Sequence, residues 1–372
     1  MRSEIDGLDR MDILILIASF QSGGAEKVLT SLANSLSAHR RVTLMVIDPH
    51  GPLEERILPG VRVVALDRKR ARRAAGAILR AIRRSRPTVV MSSQTHINVL
   101  LAAMRILMPR GTCLVVREAE LRTGRSSGER MVRLAHRTVY RGVALVLATS
   151  TPMAEDLRRR VRSDVEILHN PLDVGSMRHG AAPLLRHPGP GRRFIHVGRF
   201  APGKGAAEAV QAFAAIAQPD DHLSMVGDGP DLPIARAVVG RHGLEGQVHF
   251  HGFLPDPSPH LAGADLLVLP SRSEGMPNVA LEALAVGTPV LATQDLVTLT
   301  DLATMTAPGS VDLVPRPSLA AAMGAAAANP PAAGQLRPSL LPEHHGIGTV
   351  TRRLLGLLAD RVGAERTATG PE

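Results

Sequence analysis

Tryptophan is absent from this 372-residue chain, tyrosine and cysteine occur once each, and phenylalanine occurs six times. Platforms for single-stranded nucleic acid, and many sugar-binding modules, stack their ligands on aromatic rings, so a chain this poor in rings is a poor candidate for either. The lone thiol, Cys113, has no partner for an internal disulfide, which fits a reducing compartment and points to the cytoplasm. No apolar run reaches the roughly 18 residues that would cross a bilayer. The stretch Ile13–Phe20 is short, follows Asp9 and Asp12, and lacks a small-residue cleavage site. It reads as a buried first strand rather than a secretory signal. Residues 1–10 are polar, which leaves both Met1 and Met11 as candidate starts.

What is present describes a globular chain: 44% hydrophobic and 21% charged residues, with a mean hydropathy of +0.06. A chain above about 250–300 residues splits into two cores more readily than it grows one. The net charge is +10, and it is unevenly placed. Residues 1–170 carry 29 basic against 16 acidic residues, whereas 171–372 carry 15 against 18. The densest run, Arg68 to Arg86, has nine basic residues and no acidic one. Ala74, Ala77, Ile78, Ala81 and Ile82 recur within it at helical spacing, which makes a basic amphipathic helix. Such a helix is either a solvated face or an attachment to an anionic membrane surface, where each basic residue contributes about 1 kcal/mol.

Short Val/Ile/Leu-rich runs alternate with longer amphipathic ones through both halves, the pattern of parallel sheets covered by helices. From Gly175 to Arg193 the chain is rich in Gly, Pro and Arg without periodicity, a linker composition. Two doubly wound domains so joined predict a cleft, with ligands beyond the carboxyl ends of the strands.

The most informative segment runs from Leu266 to Thr293 and contains the string EGMPNVALEALAVGTPV. A strand ends at Pro270, a loop carries Glu274, Gly275 and Met276, and Pro277 suits the first position of a helix that Gly287 terminates. Glu274 then stands at the helix mouth and Glu282 about two turns further on. Two carboxylates so placed can each accept hydrogen bonds from vicinal hydroxyls, while N–H groups of the loop and first turn face an anion. Either glutamate alone reads as an ordinary surface residue; the whole string suits a nucleotide sugar.

A second segment, Val197 to Phe213, is again a strand running into a helix. Gly198, Gly203 and Lys204 have the spacing of a phosphate-binding P-loop, but Gly205 replaces the Ser or Thr that would hold magnesium. Kinase chemistry loses its metal ligand there. Phosphate binding survives, because Arg199 offers a planar fork, Lys204 a point charge, and the glycines a close backbone. The plainer reading is a glycine-rich turn with surface cations. Gly23 and Gly24 lead from the first strand into a helix, a weak anion signal in isolation, and Gly227 and Gly229 follow a later strand, where they serve a close approach or a tight turn. No Asp-x-Asp triplet, HExxH motif or Cys/His cluster occurs, so neither a metal nor a cofactor is expected.

Together these strings resemble glycosyltransferase family 4, retaining enzymes of the two-Rossmann GT-B fold. GGAEK at Gly23–Lys27, HNPLD at His169–Asp173, VGRFAPGKG at Val197–Gly205, HFHGFLPD at His249–Asp256 and the glutamate string fall in the family's order and at its spacing, across residues 11–360. The resemblance implies an α/β chain of two Rossmann-like doubly wound domains facing across a cleft. An acceptor-binding domain would occupy residues 1–174, a linker 175–193 and a nucleotide-sugar-binding domain 194–345. A helix over 346–362 would pack back on the first domain, ahead of a flexible tail, 363–372.

In such enzymes Arg199 and Lys204 would hold the donor diphosphate, Glu282 the ribose hydroxyls and Glu274 the transferred sugar. Gly24, Gly198, Gly275, Met276, Pro277 and Asn278 would complete the donor site, with Phe253 lining the nucleobase. The stretch Ser92–Ala102 followed by Val116–Glu120 is similar to a subgroup that extends lipid-linked or surface oligosaccharides. There His96 would face the transferred sugar, with Gly23, Asn98 and Glu118 on the acceptor side. On its own, His96 reads as a helix cap or a surface histidine. The sequence departs from the family after Thr293, where relatives continue with a small acidic or glycine-rich loop and a glutamate, whereas this chain continues from Gln294 as DLVTLTDLATM. That loop borders the donor sugar in the family, so the departure bears on which sugar is taken.

The implied activity is metal-independent transfer of a hexose or N-acetylhexosamine from a nucleoside-diphosphate sugar, UDP- in preference to GDP-. The acceptor would be lipid-linked or a polysaccharide, in surface-glycan or lipopolysaccharide biosynthesis. The expected place is the inner face of the cell membrane, held through segment 68–86. Other classes stay open: a nucleotide-sugar-binding or epimerising protein of the same fold, a degenerate partner subunit, or a nucleic-acid binder that charge alone suggests.

Overall fold

Alternation along the first strand shows why the N-terminal sheet is covered on both faces. In β1 (Asp12–Ser19), Ile13, Ile15 and Ile17 turn into one core and Leu14 and Leu16 into another, each almost fully buried. Side chains of successive strand residues point to opposite faces, and each large aliphatic group so buried contributes about 1.5–3 kcal/mol. The computed structural model describes residues 11–21, 23–68, 70–120, 127–181, 189–331 and 335–369. Lys69 of the basic run, 182–188 of the linker segment and 370–372 of the tail therefore lie outside the described residues.

Two compact units divide the chain, Met1–Leu172 with His344–Glu372, and Asp173–Glu343. In the first, β1 is joined by β2 (Arg41–Asp48), β3 (Val61–Ala65), β4 (Val89–Ser92), β5 (Cys113–Arg117), β6 (Leu145–Ala148) and β7 (Val165–Ile167). The sheet order is β3-β2-β1-β4-β5-β6-β7, and every pairing is parallel. Its helices include α1 (Gly24–Ser37), α2 (Ala71–Ser85), α3 (Thr95–Met104), α4 (Ser127–Thr138) and α5 (Thr151–Arg158). Helix α1 covers one face through Val28, Leu29, Leu32 and Leu36; α2, α3 and α5 cover the other. In α2, Ala74, Ile78 and Ile82 form a buried i, i+4 ridge, while Arg72, Arg73, Arg80, Arg83 and Arg84 are exposed.

The second unit repeats the plan with β8 (Arg193–Val197), β9 (His222–Val226), β10 (Val248–Gly252), β11 (Leu266–Leu269), β12 (Val290–Thr293) and β13 (Val311–Val314). Their order is β10-β9-β8-β11-β12-β13, again parallel. Its helices include α6 (Val174–Gly180), α7 (Ala206–Ala214), α8 (Leu232–His242), α9 (Ser258–Gly263), α10 (Asn278–Ala285), α11 (Thr300–Met305) and α12 (Leu319–Gly324). The chain then returns to the first unit with α13 (Ile347–Thr369), whose Val350, Leu354, Leu358 and Val362 enter the core beneath α1. Both sheets reverse their strand order once, between β1 and β4 and between β8 and β11, and the crevice outside the carboxyl ends at such a point is where doubly wound sheets take ligands.

Four elements have no counterpart in the periodicity. Helix α6 lies in the aperiodic stretch and starts because the Asp173 carboxylate accepts from Ser176 N at 3.0 Å. Helix α11, strand β13 and helix α12 are four to six residues long, too short to show a period. No helix among the described residues is long and apolar enough to cross a membrane.

Candidate active site

In the second unit the loops after β8 and β11 meet at the reversal point. Gly205 caps α7 at φ +84°, and a Cβ there would lie 2.7 Å from Pro270 Cγ and 2.8 Å from its carbonyl. Space and backbone together exclude the P-loop Ser or Thr, which gives the missing hydroxyl a structural cause. Arg272 N donates to Gly203 O at 2.8 Å, and Ser271 Oγ donates to Lys204 O at 3.0 Å. These bonds bring Lys204 Nζ to 2.6 Å from Glu274 Oε2, with both side chains about a quarter exposed. Arg199 projects from the same loop, exposed, and Gly198 has open space where a side chain would be.

Beyond Glu274, Gly275, Met276 and Pro277 are buried, and Pro277, at φ −68° and ψ 107°, is the cap from which α10 begins. Asn278 and Glu282 are therefore one turn apart on one face of α10, both half-buried. Glu282 lies one turn into the helix rather than two, because 275–277 are spent on the loop. Phe253, just past β10, is 60% exposed.

Gly227 and Gly229 have a different task from ligand approach. A Cβ on Gly227 would fall 1.8 Å from Gly198 O, and one on Gly229 would fall 2.2 Å from Phe200 O. The β9–α8 turn thus lies directly against the 198–200 backbone, with Phe200 N donating to Asp228 O and Asp231 N to Phe200 O. The atypical loop after β12 is fixed in the same way. Arg316 donates to Pro270 O at 2.8 Å and pairs with Asp295 at 2.7 Å, while Thr298 Oγ1 donates to Glu274 O at 3.4 Å. Leu296 and Leu299 are buried beneath it. Arg316 escaped the sequence reading because its partners lie 46 and 21 residues away and no motif surrounds it.

In the first unit Gly23 caps α1, and the Glu26 carboxylate lies over it, 2.2 Å from where a Cβ would stand. Gln94, the cap of α3, accepts from Ala18 N at 2.9 Å and donates to Glu26 Oε1 at 2.5 Å. This amide ties the loop after β4 to that after β1 across the reversal point. Burial pushes the Glu26 carboxyl up, against hydrogen bonds from its own backbone and from Gln94 that favour ionisation. Glu26 stands inside the GGAEK string, and Gln94 two residues before His96; neither was singled out. His96 itself is exposed on the first turn of α3, and Gly24 opens α1.

Asn98 and Glu118 are enclosed, at 0% and 2% exposure, which corrects the expectation that they face an acceptor. Glu118 accepts from Asn98 Nδ2 at 2.9 Å, Thr95 Oγ1 at 2.8 Å and the Tyr140 hydroxyl at 2.5 Å, with the His136 ring 3.7 Å away. Burial alone would raise this carboxyl, but the surrounding donors and the His136 ring outweigh it and hold it below the usual range. The network fastens the start of α3, and with it His96. Beside it the buried Arg117 guanidinium donates to Ser93 Oγ at 2.9 Å and to the Asn170 side chain, and burial pulls its pKa down to about 10. Asn170, of the HNPLD string, also accepts through its backbone carbonyl from His345 Nδ1 of the returning chain at 3.0 Å. No group of three or more His, Cys, Asp or Glu among the described residues could hold a metal ion.

Comparison with known proteins agrees with this architecture. The profile described as Glycosyltransferase Family 4 matches residues 22–176, and that described as Glycosyl transferases group 1 matches residues 191–328. A lipopolysaccharide core biosynthesis glycosyltransferase, LpsE of Rhizobium meliloti, is 35% identical over 100 residues, which are 27% of this chain and 29% of that one. The matched stretch is thus under a third of the relative's length. Among solved structures, Anabaena Alr3699/HepE in complex with UDP superposes with a TM-score of 0.66 at 19% identity, covering 96% of this chain and 98% of that one. Sucrose-phosphate synthase of Thermosynechococcus elongatus gives 0.68 at 19%, covering 95% and 98%. Two parallel doubly wound sheets, the glutamate string on the second and both family profiles in sequence order make this chain a member of glycosyltransferase family 4, with the GT-B fold.

Proposed function

We propose that the protein is a retaining glycosyltransferase that moves a hexose or N-acetylhexosamine from a nucleoside-diphosphate sugar to a lipid-linked or polysaccharide acceptor in surface-glycan biosynthesis. The observation that carries this reading is the contact of Lys204 with Glu274 at the β8/β11 reversal point. A cation for the diphosphate and a carboxylate for sugar hydroxyls stand side by side there, next to the start of α10. A UDP donor is favoured over GDP by the UDP-bound HepE structure of the same fold, and a glycan acceptor by the lipopolysaccharide enzyme among the relatives.

In the transfer, the bond between the anomeric carbon and the diphosphate oxygen breaks and a bond to the acceptor hydroxyl forms on the same face. The acceptor proton passes to the departing phosphate. Lys204 and Arg199 meet the negative charge that grows on that phosphate, and a well-placed donor of this kind lowers a barrier by about 3–4 kcal/mol. Asn278 and Glu282 on α10 serve the nucleoside, Glu282 through its ribose hydroxyls, and Glu274 the transferred sugar. The arginine face of α2 serves an anionic membrane carrying the acceptor.

The deciding experiment is a panel of UDP- and GDP-sugars scored by nucleotide release with and without a lipid-diphosphate sugar acceptor, with the product anomer read by NMR. Acceptor-dependent release with retained configuration is expected. Free sugar isomer formed without acceptor would replace this reading with epimerisation. Glu282→Ala is expected to raise the donor KM with little change in kcat, and wild-type kinetics in that variant would remove its assigned role.

A further inference from the structure

We propose that the first unit holds an apolar pocket for the hydrocarbon chain of a phosphate-bearing lipid, with His96 at its rim. The inference deepens the transferase reading, and rests on it, by naming the apolar part of the acceptor. Between α2 and α3, above the carboxyl ends of β1 and β2, lies a cavity of about 580 Å³, within the roughly 300–1,000 Å³ of small-molecule sites. Ala18 and Ile47 form its floor, and Val99, Leu100 and Ala103 one wall, on the α3 side. Arg70 and Arg72 stand at the start of α2 on the opposite side, and no acidic residue lines it among the described residues.

The chemistry of the lining selects the occupant. A bare glycan carries hydroxyls along its length, and this floor and wall offer them no hydrogen-bond partner. A hydrocarbon chain gains from every apolar contact it makes here. Its charged end would meet Arg70, Arg72 and the start of α2, a helix of 15 residues whose first turn holds no acidic side chain and whose dipole favours an anion. His96 lines the same cavity, so a sugar attached through the phosphate would begin beside the residue that the family resemblance sets facing the transferred sugar. Arg72 also begins the exposed basic face of α2, which continues through Arg73, Arg80, Arg83 and Arg84. A lipid anchored in an anionic surface accounts for both features with one ligand, which neither a free phosphate nor a soluble sugar does.

Farnesyl diphosphate is a water-soluble probe of this chemistry, and inorganic diphosphate and UDP are its comparators. Titration calorimetry on the full chain is expected to show farnesyl diphosphate binding at least tenfold more tightly than inorganic diphosphate. Ala103→Trp, which fills the cavity from an exposed position, should weaken farnesyl diphosphate at least tenfold and leave UDP binding unchanged. The double variant Arg70→Ala/Arg72→Ala should weaken it similarly. Wild-type affinity in either variant overturns the proposal, as does equal affinity for inorganic diphosphate. UDP binding without farnesyl diphosphate binding sinks the pocket alone. Farnesyl diphosphate binding with no affinity for any nucleotide or nucleotide sugar sinks the transferase reading instead.

Discussion

Lys204 Nζ lies 2.6 Å from Glu274 Oε2, so the cation read as a diphosphate ligand and the carboxylate read as a sugar ligand are each other's partners before any donor arrives. Partly exposed pairs of this kind stabilise a fold by about 0–1 kcal/mol. A donor can therefore separate them at small cost, turning Lys204 to phosphate and leaving Glu274 to hydroxyls.

That exchange predicts opposite effects of one substitution on two measurements. Glu274→Gln removes the competitor for Lys204, so UDP should bind up to about fivefold more tightly, the equivalent of about 1 kcal/mol. Sugar transfer should fall, because the carboxylate for the sugar is gone. Calorimetry with UDP and turnover with the UDP-sugar separate the two, and weaker UDP binding in the variant would show that Glu274 does not restrain Lys204.

Two glycines of the same loop share φ +84° but differ in surroundings. Beside Gly205 a Cβ meets Pro270, whereas beside Gly203 nothing lies within 4 Å. Gly203→Ala should cost only the backbone strain of a left-handed residue, about 1–3 kcal/mol. Gly205→Ser adds a clash in a packed site and should cost about 2–5 kcal/mol. Thermal melts of the two variants test the order, and an equal loss would mean that Pro270 moves aside freely.

Four histidines of the second unit give stability a pH dependence. His222 Nδ1 lies 2.9 Å from His249 Nε2, and the His251 and His260 rings are 4.7 Å apart. Burial lowers the pKa of all four, and neighbouring positive charge lowers those of His222 and His251 further. A base whose folded pKa is depressed binds its proton more readily once unfolded, so stability falls as pH drops through the unfolded value of about 6.5. Urea midpoints at pH 7.5 and 5.5 should differ in that direction, and His249→Asn should narrow the gap. A gap unchanged by that substitution would place the acid sensitivity elsewhere.

The strands and helices that build both reversal points were legible because each repeats a period over enough residues. β1 alternates its aliphatics, α2 sets Ala74, Ile78 and Ile82 four apart, and Pro277 and Gly287 bracket α10. The glutamate string and the 198–205 loop were legible for a different reason, since their spacing is set by chemistry on a strand–loop–helix that local sequence specifies. What stayed hidden is pairing across distance. Arg316 acts on Pro270, Gln94 on Glu26, and Tyr140 on Glu118, each through a fold that brings separate strands' ends together. Asn98 and Glu118 were expected on the acceptor side, and their enclosure stayed hidden for the same reason: burial is a property of the packed sheet, and nothing in a polar side chain announces it.

The Gln94–Glu26 bridge yields the last prediction. Glu26 keeps an ordinary carboxyl in the unfolded chain but has a raised pKa in the fold, chiefly through burial. Its ionised form therefore penalises the fold above that pKa, and the penalty is relieved as pH falls through it. Glu26→Gln keeps an oxygen that accepts from Gln94 Nε2 and removes the charge. The variant should melt above the wild type at pH 7.5, and the difference should shrink as the pH is lowered towards the ordinary carboxyl value of about 4.3. A difference independent of pH, or a wild type that melts higher at pH 7.5, would mean that the hydrogen bonds and the N-terminal end of α1 favour the ionised carboxylate more than burial opposes it.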